Sequence, residues 1–378
     1  MDDLARLDEA RPDAVSGPSP LARRLAAEIA STGPISVAEF MAACLHDPRH
    51  GYYATRPALG AEGDFITAPL VSQMFGELIG LWAVETWRGL GRPSPLRLVE
   101  AGPGDGTLMS DLLRAARLDP DFLAAADLWL VETSAPLRQR QAQALAAAPL
   151  FPRWAAGLDE IPAGAPMILI ANELLDCLPA RQFVRLPQGS GWAERVVGLD
   201  PDGDLAFGLR PCGPREAPLA GATEGQLVEV SPAQTAFAAS LAARLASDGG
   251  GALLIDYGRG EGEPHGDTLQ ALMRHQKVDP LATAGEADLT VHADFPAVLA
   301  AARAAGCAAA LLSQGEMLRR LGIEARAAAL ARARPDRAEA LGRQLARLVD
   351  EAQMGALFKA ACLYKPGDPP PPAFEHAP

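Results

Sequence analysis

Leu96-Arg97-Leu98-Val99-Glu100-Ala101-Gly102-Pro103-Gly104-Asp105-Gly106-Thr107 is an apolar run that breaks into alternating glycines and then into a helical pattern over residues 107–116. Residues 96–100 have the length and composition of a short buried strand, and 102–106 that of a tight turn. Glycines at such a turn let the backbone bend sharply and approach a bound molecule that a Cβ would exclude. Outward from it, residues 128–132 predict a second strand, 135–147 a helix, and 167–171 a third strand of the same buried type. A helix over 232–247 and a strand over 252–257 resume the pattern after an interruption. Strands alternating with helices predict an α/β fold, a mostly parallel sheet covered on both faces.

The flanks differ. Residues 1–20 end in Ser-Gly-Pro-Ser-Pro and predict a disordered lead. Residues 21–95 predict an N-terminal helical and loop segment covering the turn, with helices over 21–30, 35–44 and 71–88 and a glycine-rich loop at 60–67. The sheet core is expected over 96–180 and 231–365. Between its parts, residues 182–186, 192–199 and 205–209 alternate, and Asp202-Gly203 separates the last two, so 181–230 predict an antiparallel β insertion. No period holds over 261–288, so 259–350 are expected to form a cap loop and helices within the core. Residues 355–364 predict a last strand, and the Pro-rich 366–378 a disordered tail.

Composition narrows the possibilities. The 378 residues are 49% hydrophobic and 21% charged, which excludes disorder over the full length. No run reaches the roughly 18 apolar residues of a membrane span, so no stable membrane insertion is expected. A formal charge of −13, from 47 acidic and 34 basic residues, leaves no basic footprint for nucleic acid. Five scattered cysteines without a C-x-x-C pair predict a reduced protein with no metal site. The acidic N-terminus resembles neither a transit peptide nor a secretory signal, and a cytoplasmic, bacterial protein is expected.

Two cofactor classes compete for the glycine turn. The dinucleotide fingerprint needs a glycine at the sixth position counted from Gly102, where this chain has Thr107. Glu100 at the strand end would also repel a pyrophosphate, whereas it attracts the ammonium and sulfonium of S-adenosyl-L-methionine. Glu132 closes the second strand, where an acidic residue usually accepts hydrogen bonds from a ribose. Asn172, Glu173 and Asp176 follow the third strand, where the sheet opens toward a methyl acceptor. Asn172 is equally suited to capping a following helix, on which Glu173 and Asp176 would share a face.

Five segments occur in order: Glu62-Gly63-Asp64-Phe65-Ile66-Thr67, the 98–108 stretch, Asn172 to Pro179, Ala252-Leu253-Leu254-Ile255-Asp256-Tyr257-Gly258 and Gly285-Glu286-Ala287-Asp288-Leu289-Thr290. Together they resemble the MidA-type family, whose mitochondrial members are complex I assembly factors and protein-arginine methyltransferases. The resemblance runs from about residue 35 to 323. It implies a class I methyltransferase fold, Rossmann-like, with S-adenosyl-L-methionine as donor. It further implies a protein substrate, such as a catalytic-core subunit of respiratory complex I. It places Gly102, Pro103, Gly104, Gly106 and Thr107 around the cofactor with Glu100, Glu132 on its ribose, and Asp64 and Thr67 in a loop closing over it. Asn172 is expected at both donor and acceptor.

An arginine nitrogen becomes a nucleophile only if a carboxylate orients it and takes its proton. Glu173 and Asp176 are the first candidates for that work, with Asp256 and His275 next. A small-molecule methyltransferase and a non-enzymatic assembly factor are the rival readings, and a homodimer is compatible with all three.

Overall fold

The computed structural model describes residues 17–55, 67–187, 191–213, 216 and 222–377. The expected glycine-rich loop at 60–66, including Asp64, and residues 1–16 of the lead lie outside the described residues. Seven strands lie along the path of an eight-stranded central sheet: β1 (Leu96–Ala101), β2 (Ala126–Val131), β3 (Arg153–Ala155), β4 (Met167–Asn172), β5 (Gly250–Arg259), β6 (Ala308–Ser313) and β7 (Phe358–Tyr364), with the two-residue strand Ala293–Asp294 paired off the path to the end of β5. Their spatial order is β6-β7-β5-β4-β1-β2-β3. The ladders from β5 through β3 are parallel, and only β7 runs against its neighbours β5 and β6.

Both faces of this sheet are buried, which is why its strands read as nearly continuous apolar runs. Leu96, Leu98, Ile168, Ile170, Leu253 and Ile255 point to one side, against the helices Gln73–Gly89 and Thr107–Ala116. Val99, Ala101, Leu169, Ala171, Ala252 and Leu254 point to the other, against Pro232–Asp248 and Phe295–Ala304. The chain order reverses between β1, which leads outward to β2 and β3, and β4, which leads to β5. A cleft opens beyond the carboxyl ends of strands at such a point.

The strands Arg181–Arg185, Trp192–Leu199, Leu205–Cys212 and Leu227–Val230 form an antiparallel sheet within the insertion expected at 181–230. Ile35–Ser36 of the N-terminal segment joins this sheet against Val197 and Val196. The helix that follows, Val37–His46, opens on a capping box of Ser36 and Glu39.

Three expectations are corrected. The lead yields to order before residue 20: Ser19 caps the helix Pro20–Thr32, and its hydroxyl donates to the Ala284 carbonyl at 2.7 Å. The unpatterned 261–288 region holds Gln270–Met273, which pairs on one side with Gln276–Val278 and on the other with Asp288–Thr290 in a small antiparallel sheet. The tail is expected to be disordered over 366–378; its described part, 366–377, packs on the core, where Phe374 is 2% exposed and the Arg320 guanidinium donates to the Ala373 carbonyl at 2.9 Å.

Candidate active site

A cavity of about 400 Å³ occupies the cleft. Glu100 at the end of β1, Gly102, Pro103, Gly104 and Asp105 in the turn after it, and Glu132 after β2 form one half of its wall. Asn172, the last residue of β4, and Glu173 after it form the other, closed over by Thr67, Tyr53 and His46 from the N-terminal segment.

The β1 turn needs its glycines. Gly102 and Gly104 have φ of +67° and +55°, in the left-handed region that side chains with a branched Cβ resist. The Asp105 carboxylate accepts the Thr107 N–H at 2.9 Å, and the Gly106 N–H donates to the Pro103 carbonyl at 2.9 Å. Gly106 (φ +88°) faces away from the cavity; a Cβ there would lie 3.2 Å from the Gln141 Cα, so this glycine admits the helix Ala135–Ala144. Gly106 and Thr107, both expected around the ligand, are therefore not on the wall among the described residues. They start and pack the helix behind it.

Glu100 is 2% exposed, and its Oε2 has no hydrogen-bond partner. Burial, reinforced by the nearby Asp105 charge, pushes its pKa up to about 8. Glu132 is better supported: Oε1 accepts the Ser134 N–H at 2.7 Å, and Oε2 accepts from the Gln141 amide at 3.2 Å. Burial still raises its pKa against those bonds.

No helix follows Asn172. Glu173 adopts φ +54°, a conformation that costs a non-glycine residue energy and persists only when its surroundings impose it. The cause lies in β5. The Glu173 N–H donates to the Ile255 carbonyl at 2.8 Å, and Asp256 Oδ2 accepts the N–H groups of Leu175 and Asp176 at 2.8 and 3.1 Å. The left-handed backbone at Glu173 breaks helical geometry at the position where a helix after Asn172 would start. The Glu173 carboxylate accepts at Oε1 from the Asn172 amide (3.0 Å) and from the Ala68 N–H (3.2 Å). Burial and the Asp176 charge push its pKa up to about 8. Asn172 Oδ1 is buried without a partner.

The other expected acids are placed elsewhere. Asp176 is buried, absent from the cavity wall among the described residues, and accepts from the Tyr257 hydroxyl at 2.6 Å. Burial lifts its pKa to about 6. Asp256, fully buried, spends its carboxylate on three backbone N–H groups, the third from Tyr257 at 2.8 Å. Both hold the turn that presents Glu173, and neither faces the cleft. His275 is exposed and sits with Arg274 at positive φ in the two-residue turn of the 270–278 hairpin, away from the cavity.

Among the wall residues that the expected site did not include are His46, Tyr53, Leu70 and Phe237. The His46 and Tyr53 rings stack with centroids 5.8 Å apart. Burial lowers the His46 pKa, opposed by a hydrogen bond to the Cys177 backbone, so the imidazole is neutral at pH 7. An aromatic and histidine-rich stretch among turn residues was the available clue.

A parallel sheet of this strand order, with a glycine turn after β1 and an acid after β2, defines a methyltransferase of the S-adenosylmethionine-dependent class. Comparison with known proteins agrees. A family model described as "Putative S-adenosyl-L-methionine-dependent methyltransferase" matches residues 78–312, and the chain belongs to this family. It is 37% identical to the protein arginine methyltransferase NDUFAF7 homolog, mitochondrial, of Drosophila melanogaster, over 94% of this chain and 87% of that protein. To the human protein arginine methyltransferase NDUFAF7, mitochondrial, it is 36% identical over 82% of this chain and 74% of that one. The crystal structure of a Burkholderia thailandensis protein bound to S-adenosyl-homocysteine matches with a TM-score of 0.84 at 31% identity, covering 96% and 98% of the two chains. The residues present suit the cofactor: the orphaned Glu100 Oε2 is an acceptor beside a turn whose glycines leave room for a cationic ligand.

Proposed function

We propose that this methyltransferase acts on an arginine side chain of a protein, with Glu173 and Asn172 holding the guanidinium. The observation that carries the reading is Glu173 itself, a carboxylate kept at the cleft wall by a left-handed backbone, beside the unpartnered Asn172 Oδ1. A guanidinium brings five N–H donors in a planar fork, and these two side chains offer acceptors of matching kind. The curated relatives named above are protein arginine methyltransferases. A catalytic-core subunit of respiratory complex I, or its bacterial equivalent, is the acceptor implied by the family resemblance.

S-adenosylmethionine supplies an electrophilic methyl group when bound. Everything else falls to the chain. Glu100 lies next to the glycine turn and suits the ammonium of the donor, and Glu132 suits its ribose. Glu173 is protonated at pH 7 in the ligand-free protein; a guanidinium within about 4 Å favours its ionised form and draws the proton off. The resulting carboxylate orients the nitrogen and accepts a proton from it as the new bond forms. Nitrogen and methyl carbon must meet in line, so positioning supplies much of the acceleration.

The test is to incubate the protein with isotopically labelled donor and membrane extract from a strain lacking it, then locate the label by mass spectrometry. Label on an arginine of a membrane-complex subunit is expected. Label confined to lysine, to a terminus or to a small molecule would overturn the substrate class and leave the enzyme class intact.

A further inference from the structure

Gln141 is fully buried on the helix Ala135–Ala144, does not line the cavity, and touches both cofactor-side elements. Its Nε2 donates to the Gly104 carbonyl at 2.8 Å and to Glu132 Oε2 at 3.2 Å. Its Oε1 accepts from the Trp154 indole N–H at 2.8 Å. An indole can only donate, so Trp154 dictates which end of the amide faces it. The oxygen turns to β3, and the NH₂ group is left to bridge two acceptors, one on the glycine turn and one on the acid after β2. One side chain thereby spans the β1 and β2 halves of the cofactor wall.

The geometry at Glu132 shows why that matters. Oε1 is anchored by the rigid Ser134 N–H at 2.7 Å, and Oε2 by Gln141. The Thr133 N–H also donates to the carboxylate, so Gln141 is its one side-chain anchor beside two backbone ones, and one of its roughly four lone-pair directions is left for a further donor. Without Gln141, Oε2 loses that side-chain anchor and the group is held from the 133–134 backbone alone. We propose that Gln141 is a positioning residue that fixes the Glu132 carboxylate against the Gly104 peptide and so sets the enzyme's selectivity for an intact ribose. This rests on the reading that Glu132 accepts from the ribose. The bland alternative is a buried amide that merely ties a helix to the sheet, and it predicts a general loss of stability without any change in ligand selectivity.

Selectivity separates the two. S-adenosylhomocysteine and its 2′-deoxy and 3′-deoxy analogues would be titrated calorimetrically into the wild-type chain, Gln141→Leu and Trp154→Phe, with thermal melts reporting folding. Hydrogen bonds to a charged acceptor predict that the wild type prefers the parent ligand by roughly 10- to 100-fold over at least one deoxy analogue. Gln141→Leu is expected to bring that ratio to within about threefold, and Trp154→Phe, which keeps the amide but frees its orientation, to lower it by at least about threefold. An undiminished ratio in folded Gln141→Leu overturns the proposal; should that variant not fold, an undiminished ratio in Trp154→Phe does so. A wild type that does not distinguish the analogues sinks the ribose reading of Glu132 and the proposal with it. Preference in the wild type retained in the variants sinks the proposal alone.

Discussion

The two halves of the cleft are built in different ways. The cofactor half comes from a short stretch of chain: Glu100 ends one strand, residues 102–105 form the turn after it, and Glu132 follows the next strand. Its conformation is written in glycines that any neighbourhood would bend similarly. The acceptor half is assembled across the molecule. Glu173 takes a hydrogen bond from Ala68, 105 residues upstream, and the turn that follows it is pinned by Asp256, 80 and 81 residues downstream. A local turn fails chiefly through its own residues and the few side chains, Gln141 among them, that brace it. A turn held in strain by distant partners fails when any of them is removed, and substitution outside the cleft wall reaches the chemistry.

The sharpest way to break the contrast is at Gly104. At φ +55°, a Val side chain meets both backbone strain and the ligand space. Gly104→Val is expected to weaken S-adenosylhomocysteine binding by on the order of 10³-fold while the backbone strain costs roughly 1–2 kcal/mol of stability and the fold survives, as calorimetry and a thermal melt would show. Unaltered affinity would remove the cofactor from this turn.

On the other half, Asp256→Ala leaves three buried N–H groups without their acceptor. A loss of roughly 3 to 5 kcal/mol in denaturant unfolding is expected, with turnover reduced even in protein that remains folded. Full activity in the folded variant would mean that Glu173 does not depend on its turn.

A smaller effect is expected at Glu100, and it depends on pH. Its pKa in the folded, ligand-free chain is raised to about 8 from an ordinary 4.5, so between those values the unfolded chain has released a proton that the folded chain keeps. Stability is therefore lost as pH rises from about 4.5 to about 8. Glu100→Gln is expected to be more stable than the wild type at pH 8 and equal to it near pH 4.5, while binding the donor roughly 10-fold less tightly. Chemical denaturation at the two pH values checks the sign, and a wild type that gains stability toward pH 8 would contradict it.

The same contrast explains what the sequence disclosed. The parallel sheet, the glycine turn, Glu132 and the antiparallel insertion rest on local patterns, strand runs and turn residues, that survive tertiary packing. Glu173 was legible as an acid after a strand, but its partner acids were misassigned: without β5 in view, Asp176 reads as a helical neighbour of Glu173 and Asp256 as a spare base. Both are consumed by hydrogen bonds to chain segments far away in sequence. His275 was drawn in because it lies in an unpatterned stretch, where the fold places an exposed hairpin turn. The stacked His46 and Tyr53 belong to the cleft only because the N-terminal helices fold back over it, which no spacing in the chain records.

The division of labour between the halves is tested most directly in Glu173→Gln, which keeps the side chain's shape and an accepting oxygen but removes the charge. Donor affinity from calorimetry and single-turnover methyl transfer to the acceptor would be measured on the same preparation. The account predicts S-adenosylhomocysteine affinity within about twofold of wild type and a rate lower by on the order of 10²- to 10⁴-fold. A rate within a few-fold of wild type, or a loss of donor affinity as large as the loss of rate, would contradict it.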